Sequence, residues 1–279
     1  MPESPEVEAL ARFLAEEAAG REVREVDVLE FRTVKTRAMP PAGIAGHTIT
    51  GARRHGKHVE LVLDDASLVV SLGRHGWMRW VDGDAEAAAL ELPSDAPPAL
   101  ATFELSGDRG LQVTDAGSWV SLGLFVVRDA QEVPAIAKLG PDPADDAFTR
   151  DQFDAALGGR RKQIKAILQE QESLAGIGNA YSDEILHLAK VSPVSHAAAL
   201  DAAAADRLFD ATLTIVRGAI DARLGVPIDQ LKAHKVAAMR VHGRTGESCP
   251  VCGDTIRDLT FSSTTAQYCP TCQNGGVPL

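Results

Sequence analysis

The chain has 279 residues, 45% of them hydrophobic and 24% charged, with a formal net charge of −11 and four cysteines. That length suits two domains plus a small module, no apolar run reaches the roughly twenty residues of a membrane span, and the acidity argues against a protein that coats nucleic acid indiscriminately. Four cysteines are too few for a disulfide framework, and without a signal-peptide pattern they point to a reducing, cytoplasmic setting.

The chain begins Met1-Pro2-Glu3-Ser4-Pro5-Glu6-Val7-Glu8. Ser4 can cap a helix, Pro5 suits its first position, and Glu6 and Glu8 favour the positive end of its dipole. Val7, Leu10, Ala11 and Leu14 repeat at helical spacing, so one face packs on a core. Order this close to a terminus suggests that the terminus is used.

From Val23 to Val127 the pattern turns to short apolar segments. Val59 to Leu63 and Leu68 to Leu72 form a hairpin across Asp64 to Ser67, and Leu100 to Leu105, Leu111 to Thr114 and Trp119 to Val127 add strands. An antiparallel sandwich or flattened barrel follows. Pro93 to Pro98 reads as an exposed loop, and Asp129 to Asp146, with three prolines, as a linker.

Beyond it the period is helical. Thr149 to Gln152 is a capping box opening a helix that ends at Gly158-Gly159; a second helix carries Ile164, Ile167 and Leu168; Ala180 to Lys190 and Asp201 to Leu224 supply two more. Leu174-Ala-Gly176-Ile177-Gly178-Asn179 lies before the third. Its glycines allow a tight turn that exposes backbone N–H groups at a helix N-terminus, an anion site, or else form a simple connector capped by Asn179.

The last stretch holds Cys249-Pro-Val-Cys252 and, after sixteen residues, Cys269-Pro-Thr-Cys272. Two such knuckles across a hairpin-length insert can set four thiolates in a tetrahedron around one structural zinc; two disulfides are the alternative reading. Ile256, Leu259, Phe261 and Tyr268 suit a two-stranded hairpin too small to hold itself without metal.

Acids crowd into Glu3 to Glu30, Asp82 to Asp95 and Asp142 to Asp154. Three basic groups stand apart: Arg53, Arg54, Lys57 and Arg74; Arg160, Arg161, Lys162 and Lys165; and Lys232, Lys235, Arg240 and Arg244. Brought together they form one basic face on an acidic body; kept apart they are solvated faces.

Taken together, Pro2-Glu3-Ser-Pro5-Glu6-Val-Glu8, Arg53-Arg54-x-Gly-Lys57, Leu139-Gly140-Pro141-Asp-Pro143, Gly176-Ile-Gly178-Asn179, Gly243-Arg244-x-Gly-Glu247 and the four-cysteine finger ending in Cys272-Gln273 resemble the formamidopyrimidine-DNA glycosylase and endonuclease VIII family of base-excision repair enzymes. The resemblance implies that Met1 is removed and that the Pro2 amine attacks the sugar C1′, expels the damaged base and holds a Schiff base while elimination cuts the strand. An α-amino group titrates near 7.7–8.0, so it is far more often neutral and nucleophilic than a lysine. By the same resemblance Glu3 is the acid/base toward the sugar ring, Glu6 supports the terminal helix, and Lys57 and Asn179 reach the phosphates around a flipped nucleotide. Arg54, Lys162 and Lys165 are expected on the same DNA-facing surface.

Four departures stand out. The family's finger arginine corresponds to Thr264, its intercalating methionine to Arg74, and its Asp-Pro-Arg-Arg-Phe segment to Asp115-Ala-Gly-Ser-Trp119; Lys232 to Val241 is short for the loop that covers 8-oxoguanine. Arg74, His75 and Trp119 can still fill the space left by a base, by stacking. The expected architecture is α+β: an N-terminal β-sandwich with a leading helix (1–128), a linker (129–146), a helical domain with a helix-two-turn-helix (147–245) and a zinc finger (246–279). The expected protein is a monomer without a membrane partner, acting on damaged DNA as a glycosylase/AP lyase with altered substrate range. The alternative is a catalytically weak damage-binding protein that lost turnover with the finger arginine.

Overall fold

The computed structural model describes residues 1–83, 96–261 and 264–279, without the side chains of 261 and 264. The loop expected at Pro93 to Pro98 and the acidic run Asp82 to Asp95 fall partly or largely outside the described residues. Contacts divide the chain into two units. One comprises Met1–Pro2, Glu6–Ala137 and Val226–Asp229, the other Glu3–Pro5, Lys138–Gly225 and Gln230–Leu279. The main division falls inside the segment expected as a linker, which carries a 3-10 turn at Ala130–Glu132 and a short helix α2 at Pro134–Ala137. The finger groups with the helices instead of standing apart.

In the first unit, helix α1 (Ser4–Glu17) buries Val7, Leu10, Ala11 and Leu14, as their spacing requires, and Phe13 meets the Trp80 ring edge-on at 5.7 Å. Ser4 does not cap it, because its hydroxyl is buried without a hydrogen bond. Eight strands follow: β1 (Val23–Val28), β2 (Ile49–His55), β3 (His58–Leu63), β4 (Ser67–Ser71), β5 (Gly76–Asp82), β6 (Ala99–Leu105), β7 (Arg109–Asp115) and β8 (Gly123–Val127). They form two antiparallel four-stranded sheets, ordered β1-β6-β7-β5 and β2-β3-β4-β8.

The strand expected to start at Trp119 starts at Gly123 instead. The Asp115 carboxylate accepts from the N–H groups of Gly117, Ser121 and Leu122 and from the Ser121 hydroxyl, at 2.8–3.2 Å, so those donors serve a loop and not a ladder.

In the second unit, α3 (Arg150–Leu157) opens with the expected Thr149 capping box and ends at Gly158 in the left-handed conformation, φ 51°. Helices α4 (Ile164–Gln169), α5 (Asn179–Ala189) and α6 (Ala202–Asp221, capped by Asp201) pack Phe153, Ile164, Ile167, Leu168, Tyr181, Ile185 and Leu208 into one core. Gly140 has a steric reason: a Cβ there would lie 2.5 Å from the Glu172 carbonyl oxygen. The close approach lets Gly140 N–H donate to Gln171 O and Pro141 O accept from Ala175 N–H, fastening the Leu139-Gly140-Pro141 stretch to the segment before the glycine turn. Lys232 to Val241, read from sequence only as a short loop, contains a helix, α7 (Leu231–Ala238). The finger hairpin pairs β9 (Arg257–Phe261) with β10 (Thr264–Tyr268) ahead of α8 (Pro270–Asn274).

Candidate nucleic-acid-processing site

The turn Gly176-Ile177-Gly178 presents the free N–H groups of α5, which is the anion site its glycines suggest. The chain fills that site itself. The Glu3 carboxylate accepts from Gly178 N–H through Oε2 and from Ala180 N–H through Oε1 at 3.0 Å, with a longer contact to Tyr181 N–H at 3.4 Å. Ser4 N–H donates to Gly176 O at 3.0 Å, fixing the residue after it. Lys235 Nζ of α7 lies 3.2 Å from Glu3 Oε1 and 4.7 Å from the centroid of the Tyr181 ring. Arg223 stands 5.7 Å over the same ring and donates to Ala219 O at 2.7 Å. Glu3 is thus a buried carboxylate that faces the α5 N-terminus and the Lys235 ammonium, one residue after Pro2.

Lys165, expected on a DNA-facing surface, is fully buried and cannot reach a phosphate. Its ammonium donates to Asp183 Oδ1, Ser182 Oγ and Asn179 O at 2.5, 2.9 and 3.3 Å. Burial pushes its pKa down, against the pull of Asp183. The place of Lys165 next to Ile164 and three residues before Leu168 puts it among the inward positions of α4, whereas the family resemblance and the basic group Arg160 to Lys165 point to a DNA-facing surface. Asn179 begins α5 without capping it through its own side chain; its Oδ1 accepts from Gln169 Nε2 at 3.0 Å. Lys162 is partly exposed and pairs with Glu170 at 2.6 Å, while Arg160 takes the other Glu170 oxygen at 2.8 Å. These donors, led by Arg160, hold the Glu170 pKa down at about 2.

In the first unit Lys57 sits at the tight β2–β3 turn beside Gly56, whose φ of 55° suits glycine. Arg54, expected on DNA, points elsewhere: its side chain is 9% exposed, and the guanidinium donates to Glu8 of α1 at 2.8 Å and to Gly56 O at 3.2 Å. It braces the turn that displays Lys57. Glu6 is buried in the first turn of α1.

Arg74, His75 and Trp119 are brought to neighbouring loops. Ser121 Oγ accepts from Arg74 N–H at 2.9 Å and His75 O from Ala116 N–H at 3.2 Å, while Gly117 lies so close to the His75 ring that a Cβ would approach it to 3.0 Å. Arg74 and His75 are exposed, and Trp119 is 65% exposed despite its size.

The thiolate-bearing atoms of Cys249, Cys252, Cys269 and Cys272 all lie within 4.8 Å of one another, with Sγ separations of 3.9 Å for Cys249–Cys272 and 3.3 Å for Cys252–Cys269. A tetrahedral zinc with Zn–S of about 2.3 Å needs Sγ–Sγ edges of about 3.8 Å, so the four residues fit the ion. His187 Nε2 of α5 lies 3.3 Å from Cys249 Sγ, and burial followed by the nearby Arg240 pushes its pKa down to about 4. A neutral imidazole there can donate its N–H to the sulfur. Thr264 opens β10 opposite Phe261, and its side chain lies outside the described residues.

Tyr181 and Arg223, which cluster with Lys235, are not singled out by the sequence, and Lys235 enters there only as one of a basic group. A signal existed for Lys235: it follows the buried Leu231 by four residues and so shares its helix face.

Residues 1–118 match the model of the formamidopyrimidine-DNA glycosylase N-terminal domain, 139–227 the formamidopyrimidine-DNA glycosylase H2TH domain, and 246–275 the zinc finger found in FPG and IleRS. Among curated relatives, the chain is 44% identical over 146 residues to an uncharacterized formamidopyrimidine-DNA glycosylase-like protein of Mycobacterium tuberculosis, covering 52% of this chain and 91% of that one. It is 33% identical over 287 residues to the formamidopyrimidine-DNA glycosylase of Mycolicibacterium smegmatis, covering 98% and 97%. Among solved structures, the Lactococcus lactis enzyme bound non-covalently to DNA containing an AP site superposes with a TM-score of 0.82 at 27% identity, covering 98% of this chain and 99% of that one.

Proposed function

Because the chain belongs to the formamidopyrimidine-DNA glycosylase family, a family of DNA glycosylase/AP lyases in base-excision repair, we propose that it excises a damaged base through its N-terminal proline and then cuts the strand by elimination. The observation that carries this reading is Glu3: a buried carboxylate, one residue from Pro2, seated on the N-terminus of α5 and paired with Lys235.

With Met1 removed, the neutral Pro2 nitrogen attacks C1′ as the bond from C1′ to the base breaks, and the departing base takes a proton from solvent. The nitrogen then carries a proton, which passes to the Glu3 carboxylate. The nitrogen lone pair closes the iminium as the C1′–O4′ bond breaks, and Glu3 returns its proton to O4′. Loss of a C2′ proton from the iminium expels the 3′ phosphate and cuts the strand. Lys57, Lys162 and Asn179 are the proposed phosphate contacts, and the bracing of the Lys57 turn by Arg54 supports its placement. The zinc, when bound, holds the finger fold and takes no part in the chemistry.

Arg74, His75 and Trp119 are the proposed fillers of the space left by the base, supported by their exposure on two latched loops. With Arg74 and Thr264 at positions where the family pattern has methionine and arginine, a substrate range moved away from oxidised purines follows.

The test is excision and strand cleavage on single- and double-stranded oligonucleotides carrying 8-oxoguanine, thymine glycol, 5-hydroxyuracil or an abasic site. Cleavage of the abasic substrate with at least one non-purine lesion supports the reading; efficient action on 8-oxoguanine alone overturns the altered range, and no cleavage of any substrate overturns the enzyme.

A further inference from the structure

Helix α7 fills the stretch where the resemblance suggested only a shortened loop, and it places a lysine on the acid/base carboxylate. Lys235 Nζ lies 3.2 Å from Glu3 Oε1, with the Lys235 side chain 11% exposed. Both Glu3 oxygens are already engaged by the α5 N-terminus, so the ammonium completes the surroundings of an anion that water hardly reaches. The aliphatic stem shares the buried face of Leu231, and the ammonium also sits 4.7 Å from the Tyr181 ring. A charge this shielded is costly unless paired, and Lys235 is paired with the carboxylate that the proposed reaction uses.

We propose that Lys235 is a positioning residue for Glu3, holding its carboxylate ionised and on the helix terminus so that it can take the proton released from the Pro2 nitrogen. The assignment rests on the glycosylase/lyase reading above and adds to it the group that sets the starting protonation state. An opposite charge at hydrogen-bonding distance favours the ionised carboxylate; without it, the carboxylate takes up a proton at a higher pH. Other ionisable groups around Glu3 are Lys165 of α4, whose charge Glu3 feels, Tyr181 and Asp183 of α5, Arg223 after α6, and the adjacent Pro2 amine. Among them Lys165 is engaged by Asp183, and Asp183 also by His242 Nδ1 at 2.8 Å. Lys235 sits directly on the carboxylate, at 3.2 Å.

The experiment compares wild type, Lys235→Gln and Lys235→Arg in single-turnover cleavage of abasic-site DNA between pH 3 and pH 9, following the lower, steeper acidic limb that Glu3 adds below the limb set by the Pro2 amine, with DNA affinity and thermal unfolding measured alongside. In Lys235→Gln that lower limb of the rate profile moves up by about one unit, which lowers the rate on that limb about tenfold, while DNA affinity stays within about twofold. Lys235→Arg keeps the limb in place. A folded Lys235→Gln protein with an unmoved limb, or a folded Lys235→Arg protein shifted as far as Lys235→Gln, overturns the proposal. If Lys235→Gln does not fold, the arginine variant decides: an unmoved limb supports the proposal and a shifted limb overturns it. A wild type that fails to cleave overturns the enzyme reading and this inference together, whereas an active wild type with an unmoved Lys235→Gln limb overturns this inference alone.

Discussion

At Glu3 one side chain closes a helix and, in the proposed reaction, carries a proton. Its oxygens replace the carbonyls missing from the α5 N-terminus, and its charge answers Lys235. Replacing Glu3 by alanine removes this carboxylate from those N–H groups and from a shielded ammonium, and urea unfolding should show a loss of about 3 kcal/mol or more. Glu3→Gln keeps an acceptor oxygen and should lose less stability, yet it cannot carry the proton and should slow cleavage of abasic DNA by about a hundredfold or more. A Glu3→Gln protein cleaving at the wild-type rate would remove Glu3 from the chemistry. The family resemblance pointed to Glu3, and the sequence pattern offered the glycine turn as an anion site or a simple connector. It did not join the two, because residues 3 and 178 meet only through the tertiary fold. Lys165 differs from its expectation for a related reason: the basic group and the family resemblance point to the surface, while Asp183 and Ser182, met only in the fold, make its burial tolerable.

Among elements, the loop after β7 depends on one residue. Asp115 gathers three backbone N–H groups and one hydroxyl, and although burial works to raise its pKa, the donors at Ser121, Gly117 and Leu122 bring it below the usual range. Asp115→Ala should destabilise the protein by about 2 kcal/mol and free the Trp119 loop, seen as a changed Trp fluorescence and weaker binding to abasic DNA. Unchanged stability would show that the loop is held by other contacts. The sequence offered an aromatic there but read it into a strand, since apolar residues 119 to 127 carry no mark of a carboxylate capturing their N–H groups.

The turn before α5 has an analogous tie at Glu170. Its folded pKa, about 2, lies below the ordinary 4.5, so the stabilisation is complete above pH 4.5 and is lost as pH falls from there toward 2. Unfolding of wild type against Glu170→Gln across that window should converge as the pH drops; a constant difference would contradict the ion pair with Arg160 and Lys162. The capping box at Thr149 and the Gly158 terminus were readable because both signals are local. Helix α7 was not, since Leu231 to Ala238 has no side-chain cap and only one strong apolar anchor.

Across the whole molecule, a formal charge of −11 stands beside membership of a DNA-processing family, and in the proposed reading the phosphate contacts fall to a few side chains, Lys57, Lys162 and Asn179. The finger is a second whole-chain feature. Its small core, Val241, Cys249, Ile256 and Cys269, is too little to hold a hairpin unaided, and His187 of α5 abuts the Cys249 sulfur. The protein should carry one zinc per chain by elemental analysis, and chelation should unfold the finger and weaken DNA binding; a protein that keeps both structure and affinity after losing zinc would contradict a structural role. No helix among the described residues is long and apolar enough to cross a membrane. The spacing of the four cysteines made this part legible before any geometry, because a metal site restricts spacing more tightly than packing restricts a core.

The proposed chemistry turns on the Pro2 amine as nucleophile. It is tested most directly by borohydride reduction of the protein on abasic-site DNA, with mass spectrometry of the crosslinked peptide. A single adduct on the nitrogen of Pro2, absent from a Pro2→Glu protein that retains Met1, is the expected result. An adduct on a lysine, or none from a protein shown to have lost Met1 and to bind the DNA, would contradict the account.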